Sequence, residues 1–279
     1  MVLNPHARLP LSPLAMWRSV WLNRRLIARL ARRDIVARYR GSLGGLLWTV
    51  ATPVIMLAVY TFVFSVVFQA RWGSEDLAQG RAQFALVLFA GLLMHGLLAE
   101  TLNAAPALVT AQANYVKKVV FPLETLPVIQ LCVALFQCLA GVAVLLAAQW
   151  LLGGGVPATA PLLPLVLLPL ALLTLGLAWF VAALGVYVRD VGQVTQVFTT
   201  VLLFASPVFF PLSAIPERFR GLMQLNPLAF LITQAREVLV WGRLPDFWGL
   251  LACSAGALGV AWLGYAWFQA TRKGFADVL

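Results

Sequence analysis

Lysine, histidine and cysteine are nearly missing from this chain of 279 residues, at three, two and three copies. None of the lysines (Lys117, Lys118, Lys273) follows a glycine, so the G-x-x-x-x-G-K-[ST] phosphate loop is excluded and the chain cannot bind ATP in that manner. His6 and His95 are too few and too far apart for an H-E-x-x-H zinc site, and no metal set is expected. Cys132, Cys138 and Cys253 all fall inside apolar runs and read as small core residues, not as a disulfide or metal framework. Charge of either sign is equally scarce. Only 11% of residues are charged and 62% are apolar, against about 25% and about 45–50% in a soluble domain. The mean hydropathy is +0.89. These shortages exclude a soluble enzyme, a disordered chain and a disulfide-stapled secreted domain, and leave a membrane protein.

What is present instead is long apolar sequence. No charged residue occurs between Arg40 and Arg71, between Arg81 and Glu100, from Thr125 to Val188, from Val191 to Pro216, or from Phe247 to Thr271. A bilayer-crossing helix needs roughly 20 apolar residues. The longest window holds two, split by the turn signal Gly153-Gly154-Gly155-Val156-Pro157. The reading is an all-α membrane protein with six spans, at about 46–68, 84–102, 127–152, 161–187, 192–212 and 247–270. A β-barrel is excluded, because the runs lack period-two alternation. With six spans both termini share a side, and fourteen of the twenty basic residues lie on it. The positive-inside bias predicts that side to be cytoplasmic. No cleavable signal peptide is expected, since the first fifteen residues lack an apolar core of the needed length. One domain covers 1–279: a cytoplasmic amphipathic segment (1–45), the spans (46–270) and a cytoplasmic tail (271–279).

The net charge of +10 raises nucleic acid as a partner, but nine of the twenty basic residues stand in the first 40 positions, just ahead of the first span. Arg18, Arg25, Arg29, Arg32 and Arg33 share about one third of a helical wheel. Met16, Val20, Ile27, Leu30 and Ala31 lie opposite, with Trp17 beside them and Arg24 out of pattern. That predicts an amphipathic helix in the headgroup layer, with membrane lipid and not nucleic acid as its partner. A basic tail that only sets topology is the other reading.

Four segments flanking the helices carry the remaining information. They are Arg33-Asp34-Ile35-Val36-Ala37-Arg38-Tyr39-Arg40-Gly41-Ser42-Leu43-Gly44-Gly45 entering span one, Asn114-Tyr115-Val116-Lys117-Lys118-Val119-Val120-Phe121-Pro122-Leu123-Glu124, the turn Tyr187-Val188-Arg189-Asp190, and Ser206-Pro207-Val208-Phe209-Phe210-Pro211 followed by Ile215-Pro216 and Leu225-Asn226-Pro227. In that order, and with six spans, the chain resembles the membrane subunit of type-2 ABC exporters, in the branch that moves O-antigen, teichoic acid and related polysaccharides. The resemblance implies that Thr101–Leu126 is a coupling helix touching a separate ATPase, with Asn114, Tyr115, Lys117, Lys118, Phe121, Pro122 and Glu124 as its contacts. A plain positive-inside loop is the alternative, though the stretch exceeds the 2–8 residues that join most helix pairs. Arg189 and Asp190 form either a second ATPase contact or a local ion pair.

The stretch 206–235 combines Pro207, Pro211, Pro216 and Pro227 with a charge-free apolar run from Gly221 to Ala235. Irregular backbone is tolerated at membrane depth only where protein buries it or a cavity receives it, so a re-entrant hairpin is expected. The resemblance makes it the non-cytoplasmic gate, carried by Pro207, Phe209, Pro211, Ile215, Pro216, Asn226 and Pro227; a surface hairpin without gating is the alternative. Tyr60, Phe64 and Phe68 on span one, with Phe198 and Phe204 on span five, are candidates to line a path on which sugar rings slide. Such stripes also form core or lipid-facing surfaces. The implied function is the permease of an exporter of lipid-linked polysaccharide, O-antigen first, at a bacterial inner membrane. The permease would be a homodimer joined to two ATPase copies, with no catalytic residue or cofactor in this chain and with ATP and Mg²⁺ in the partner. Capsule or teichoic-acid export is the alternative within the class. An ion-coupled secondary transporter should show internal repeats and paired mid-membrane charges, and a membrane glycosyltransferase needs loop carboxylates; the sequence offers no clear repeat and few such groups.

Overall fold

A computed structural model describes residues 11–42, 44–63, 77–112, 121–152, 154–210, 217, 221 and 225–279, with backbone only at 77–82. Among the described residues every regular element is helical. The first helix, α1 (Pro13–Leu22), starts where the Ser12 hydroxyl accepts from the Ala15 N–H at 3.2 Å with Pro13 in its first turn, a start signal written in the sequence. It stops at Asn23, whose side-chain amide donates to the Ser19 carbonyl at 2.8 Å. Helix α2 (Arg24–Tyr39) follows directly. The single amphipathic helix expected over this region is therefore two, because Asn23 competes with the backbone for a helical carbonyl. The wheel itself holds: Met16, Ile27 and Ala31 are buried, and Arg18, Arg25, Arg29, Arg32 and Arg33 are exposed. Trp17 is half-exposed, and the out-of-pattern Arg24 lies over the Trp21 ring at 4.6 Å.

The bundle follows as α3 (Trp48–Tyr60), α4 (Leu77–Ala104), α5 (Thr125–Leu151), α6 (Leu163–Tyr187), α7 (Val191–Phe204), α8 (Pro227–Arg236), α9 (Phe247–Thr271) and α10 (Phe275–Val278). Among the described residues five apolar helical runs reach spanning length: Gly45–Val63, Gln83–Ala107, Thr125–Leu151, Ala160–Tyr187 and Phe247–Val278. Six were expected. The fifth expected span is the 14-residue α7, about 21 Å long at 1.5 Å per residue, against a hydrocarbon thickness of about 30 Å. It ends because Pro207 lacks an N–H and disfavours helical backbone at Ser206. The Gly-Pro turn between α5 and α6 forms as predicted, with Gly155 at φ +67°, a conformation that costs any side chain bearing a Cβ.

Helices α6 and α9 run parallel through the centre, and the backbones touch where glycines face each other. A Cβ built on Gly176 would stand 2.5 Å from the Val260 carbonyl oxygen, and Gly264 abuts Gly176 in turn. Small residues let membrane helices approach this closely. Val260 O belongs to the main chain and cannot swing away, so Gly176→Val is expected to destabilise by about 1–3 kcal/mol through overpacking. A lower unfolding midpoint for the detergent-solubilised protein checks this; an unchanged midpoint would refute the contact. Helix α3 is the opposite case. Little of it is buried within the chain, and Val50, Val54, Ile55, Val59 and Phe62 are exposed.

Candidate functional sites at the two ends of the bundle

At the end where α4, α6 and α9 finish, the chain entering α5 is tied down by Glu124, which is 5% exposed. Its Oε1 accepts from the Ser19 hydroxyl of α1 at 2.8 Å and its Oε2 from Arg272 at 2.8 Å. Arg272 also donates to the Phe121 carbonyl at 2.8 Å, and the Trp179 indole of α6 donates to the Glu124 carbonyl at 2.9 Å. Trp179 packs edge-on against Tyr265 of α9, ring centroids 5.4 Å apart. One carboxylate thus joins the amphipathic α1, the α5 entry, the chain following α9 and, through its backbone, α6. A buried charge needs such partners. Of the expected ATPase contacts, Phe121 and Pro122 are half-buried and Glu124 is turned into its own chain; Asn114, Tyr115, Lys117 and Lys118 lie outside the described residues. Arg189 and Asp190 are both exposed. Among the described residues they form no ion pair with each other, which removes the local-pair reading and leaves two charges facing solvent. The turn they occupy is held by Tyr187, whose hydroxyl donates to the Thr271 carbonyl at 2.7 Å.

At the far end, α8 is buried against α4 and receives the broken end of α7. Arg236, 4% exposed, donates to three main-chain carbonyls: Nη1 to Pro207 at 2.6 Å, Nη2 to Val208 at 2.7 Å and Nε to Val87 of α4 at 3.0 Å. A helix end leaves carbonyls without intrahelical donors, and a cation there also meets the negative end of the dipole. Gly91 makes room for Arg236, since a Cβ there would lie 2.9 Å from Nη2. Asn226 caps α8 by accepting from the Leu228 N–H at 3.0 Å, and donates to the Ser206 hydroxyl at 3.0 Å and the Ala205 carbonyl at 3.2 Å. Of the expected gate residues, Pro207 is buried, Phe209 and Asn226 are half-buried, and Pro227 is exposed at the start of α8. Pro211, Ile215 and Pro216 lie outside the described residues.

Among the described residues, Tyr60 on the one hand and Phe198 and Phe204 on the other are not gathered into one path within the chain. Tyr60 faces α4 and α5 in a cavity that no α7 residue lines. Phe198 and Phe204 stand on the exposed face of α7, and Phe204 stacks on Phe209 with centroids 5.6 Å apart. Phe64 and Phe68 lie outside the described residues. Among the described residues no group of His, Cys, Asp and Glu is placed to hold a metal ion. Residues of these sites not singled out from sequence include Ser19, Trp179, Arg272 and Arg236. Arg236 carried a signal, as the cation that closes a charge-free apolar run, and such residues are functional candidates by default; the others carried none.

The family model for ABC-2 type transporters matches residues 25–240, a span containing both sites except Ser19 and Arg272. Among curated proteins, the chain is 30% identical over 262 residues to the O-antigen export system permease protein RfbA of Myxococcus xanthus, covering 93% of this chain and 97% of that protein. It is 24% identical over 257 residues to the protein of the same description from Klebsiella pneumoniae, covering 91% and 95%.

Proposed function

This chain belongs to the ABC-2 type transporter family, and on that premise we propose that it is the permease subunit of an ATP-driven exporter of lipid-linked O-antigen across a bacterial inner membrane. The observation that carries the reading is the near end-to-end similarity to a permease named for O-antigen export. Transport, not catalysis, is the work of this subunit. Hydrolysis falls to a separate ATPase that holds ATP and Mg²⁺, because the chain has no phosphate loop. The excess of basic residues beside both termini supports a cytoplasmic location for them, with the Glu124 cluster and Arg189-Asp190 on the same side and so within reach of a cytoplasmic ATPase. The far end is then periplasmic. There α8 lies beside Val87 and Gly91, inside the spanning run of α4, which supports a re-entrant hairpin covered by protein. With α7 continued by that hairpin, the chain crosses six times. The exposed faces of α3 and α7 suit a homodimer with two ATPases, whose axis carries the polymer between Phe198, Phe204 and their counterparts, while Tyr60 faces inward.

Co-reconstitution with its ATPase into vesicles tests the reading: lipid-linked O-antigen should cross only with hydrolysable ATP, and this chain alone should show no ATPase activity. Movement of a capsular or teichoic polymer in its place would overturn the cargo. In the same assay Lys117→Glu with Lys118→Glu should cut export at least tenfold while hydrolysis continues. Normal export from the double variant would remove these charges from the coupling element.

A further inference from the structure

A cavity of about 500 Å³ lies between α3, α4 and α5, closed at the basic end by the last turn of α2. This is within the range of small-molecule sites. Most of its polar groups gather at that closed end. Arg38 Nη1 meets Glu100 Oε1 at 2.6 Å, leaving Nε, Nη2 and Oε2 out of that bond. The Gln137 side-chain amide donates to the Tyr39 hydroxyl at 3.1 Å, and the Thr49 hydroxyl is buried without a hydrogen-bond partner. The rest of the wall is mainly apolar, with Pro53, Met56, Phe89, Leu92 and Leu93 around the Tyr60 ring; its remaining polar side chains are Thr52 and His95, whose Nε2 lies 2.9 Å from the Thr199 carbonyl oxygen. A hole lined this way, with one wall supplied by the sparsely buried α3, suits an amphiphile from the surrounding bilayer.

The headgroup chemistry follows from the pair. Arg38 and Glu100 each keep about a third of the side chain exposed, 36% and 27%, and a pair so exposed contributes little to the fold. Its net charge is zero. A singly anionic headgroup would meet Arg38 already neutralised and Glu100 repelling it. A zwitterion carrying phosphate and a primary ammonium matches both: a guanidinium binds phosphate through parallel N–H bonds, and a carboxylate accepts from ammonium. A quaternary ammonium has no N–H to give. We propose that this cavity binds a phosphoethanolamine lipid, phosphate on Arg38, ammonium on Glu100 and one acyl chain along the apolar wall. The site depends on the chain being read as a membrane permease but not on its cargo.

The test uses the purified full chain, delipidated in detergent and titrated with phosphatidylethanolamine, phosphatidylcholine or phosphatidylglycerol of matched chains, with bound lipid counted by native mass spectrometry. One phosphatidylethanolamine per chain should bind at least tenfold more tightly than either other lipid. Arg38→Gln with Glu100→Gln should abolish that preference. Arg38→Glu with Glu100→Arg keeps an ion pair but reverses its direction, so it guards against simple misfolding and should lose the preference equally. Thr49→Val, which removes one hydroxyl, should weaken binding severalfold. Equal binding of the three lipids would overturn the proposal, as would preference for phosphatidylglycerol or an unchanged preference in the reversed pair. Selective binding by a chain that exports no polysaccharide would leave this site standing and remove the transport reading; export without lipid selectivity would do the reverse.

Discussion

Glu124→Gln is expected to separate ATP hydrolysis from export more completely than any other single substitution at the basic end. The change removes the charge but keeps the volume, leaving Arg272 opposite a neutral amide in a place that is 5% exposed on the Glu124 side. Breaking a buried pair by removing one partner costs about 3–5 kcal/mol. The lower figure applies here, because the Arg272 side chain keeps 23% of its surface and can turn toward water. The functional loss follows from geometry. The α5 entry is tied by hydrogen bonds to α1, α6 and the chain following α9 through this carboxylate, its backbone carbonyl and the Arg272–Phe121 bond. A displacement imposed on the stretch before it should then be absorbed locally instead of reaching α5. Arg272→Lys should show a smaller version of the defect, since an ammonium cannot hold the Glu124 carboxylate and the Phe121 carbonyl in one planar fork. Ser19→Ala, which releases only α1, is the mildest and guards against misassembly. Export per ATP hydrolysed by assembled complexes should fall in the order Ser19→Ala, Arg272→Lys, Glu124→Gln. Wild-type coupling in the Glu124 variant would show that the cluster is structural alone.

Which parts of this molecule could be read in advance depends on how local the cause is. The apolar runs, the basic face of α1 and α2 and the Gly155 turn are consequences of residues within a few positions of one another, and periodicity and composition report them directly. The end of α7 was half-legible. Ser206-Pro207 marks a break, yet the apolar composition continues to Leu212, so a span drawn by hydropathy ran past the helix that forms. The split at Asn23 left no trace in the wheel, because asparagine costs a helix only a few tenths of a kcal/mol and both halves keep the same buried stripe. The ties at Glu124 and Arg236 were out of reach for a different reason. Their partners stand up to 148 and 149 positions away, and in the second case are main-chain carbonyls, which have no residue identity to recognise. Glu124 was named as an ATPase contact from the family resemblance, but only packing against Trp179 and Arg272 turns it inward. The Tyr60 and Phe198 stripes share the opposite lesson: helical spacing says which side chains lie on one face, and nothing about what that face meets.

Arg236→Met should be the most damaging change at the far end, in stability and transport alike. Methionine fills much of the same space without a single donor, so the carbonyls of Pro207, Val208 and Val87 lose their bonds to the guanidinium. The Val87 carbonyl lies mid-helix in α4 and keeps its intrahelical donor, whereas each of the other two, left without a donor, costs about 1–3 kcal/mol. The removal of a desolvated cation returns part of that, and a net loss of about 2–4 kcal/mol is expected. The turn that ends α7 has one other side-chain anchor from α8, the Asn226 amide on Ala205 and Ser206, so without Arg236 the start of the hairpin should detach from α4 while the cap of α8 survives. Lysine should rescue little, because an ammonium on a flexible stem cannot address three carbonyls arranged around a planar fork. Gly91→Ala offers an independent approach to the same point, since its Cβ would press on Nη2 from 2.9 Å while every donor remains. Hydrogen exchange should then show faster opening across 205–210 in both variants, with the α6–α9 contact unaffected. Export should fall at least tenfold in Arg236→Met and severalfold in Gly91→Ala. Faster exchange with undiminished export would mean that the latch holds the fold but not the gate.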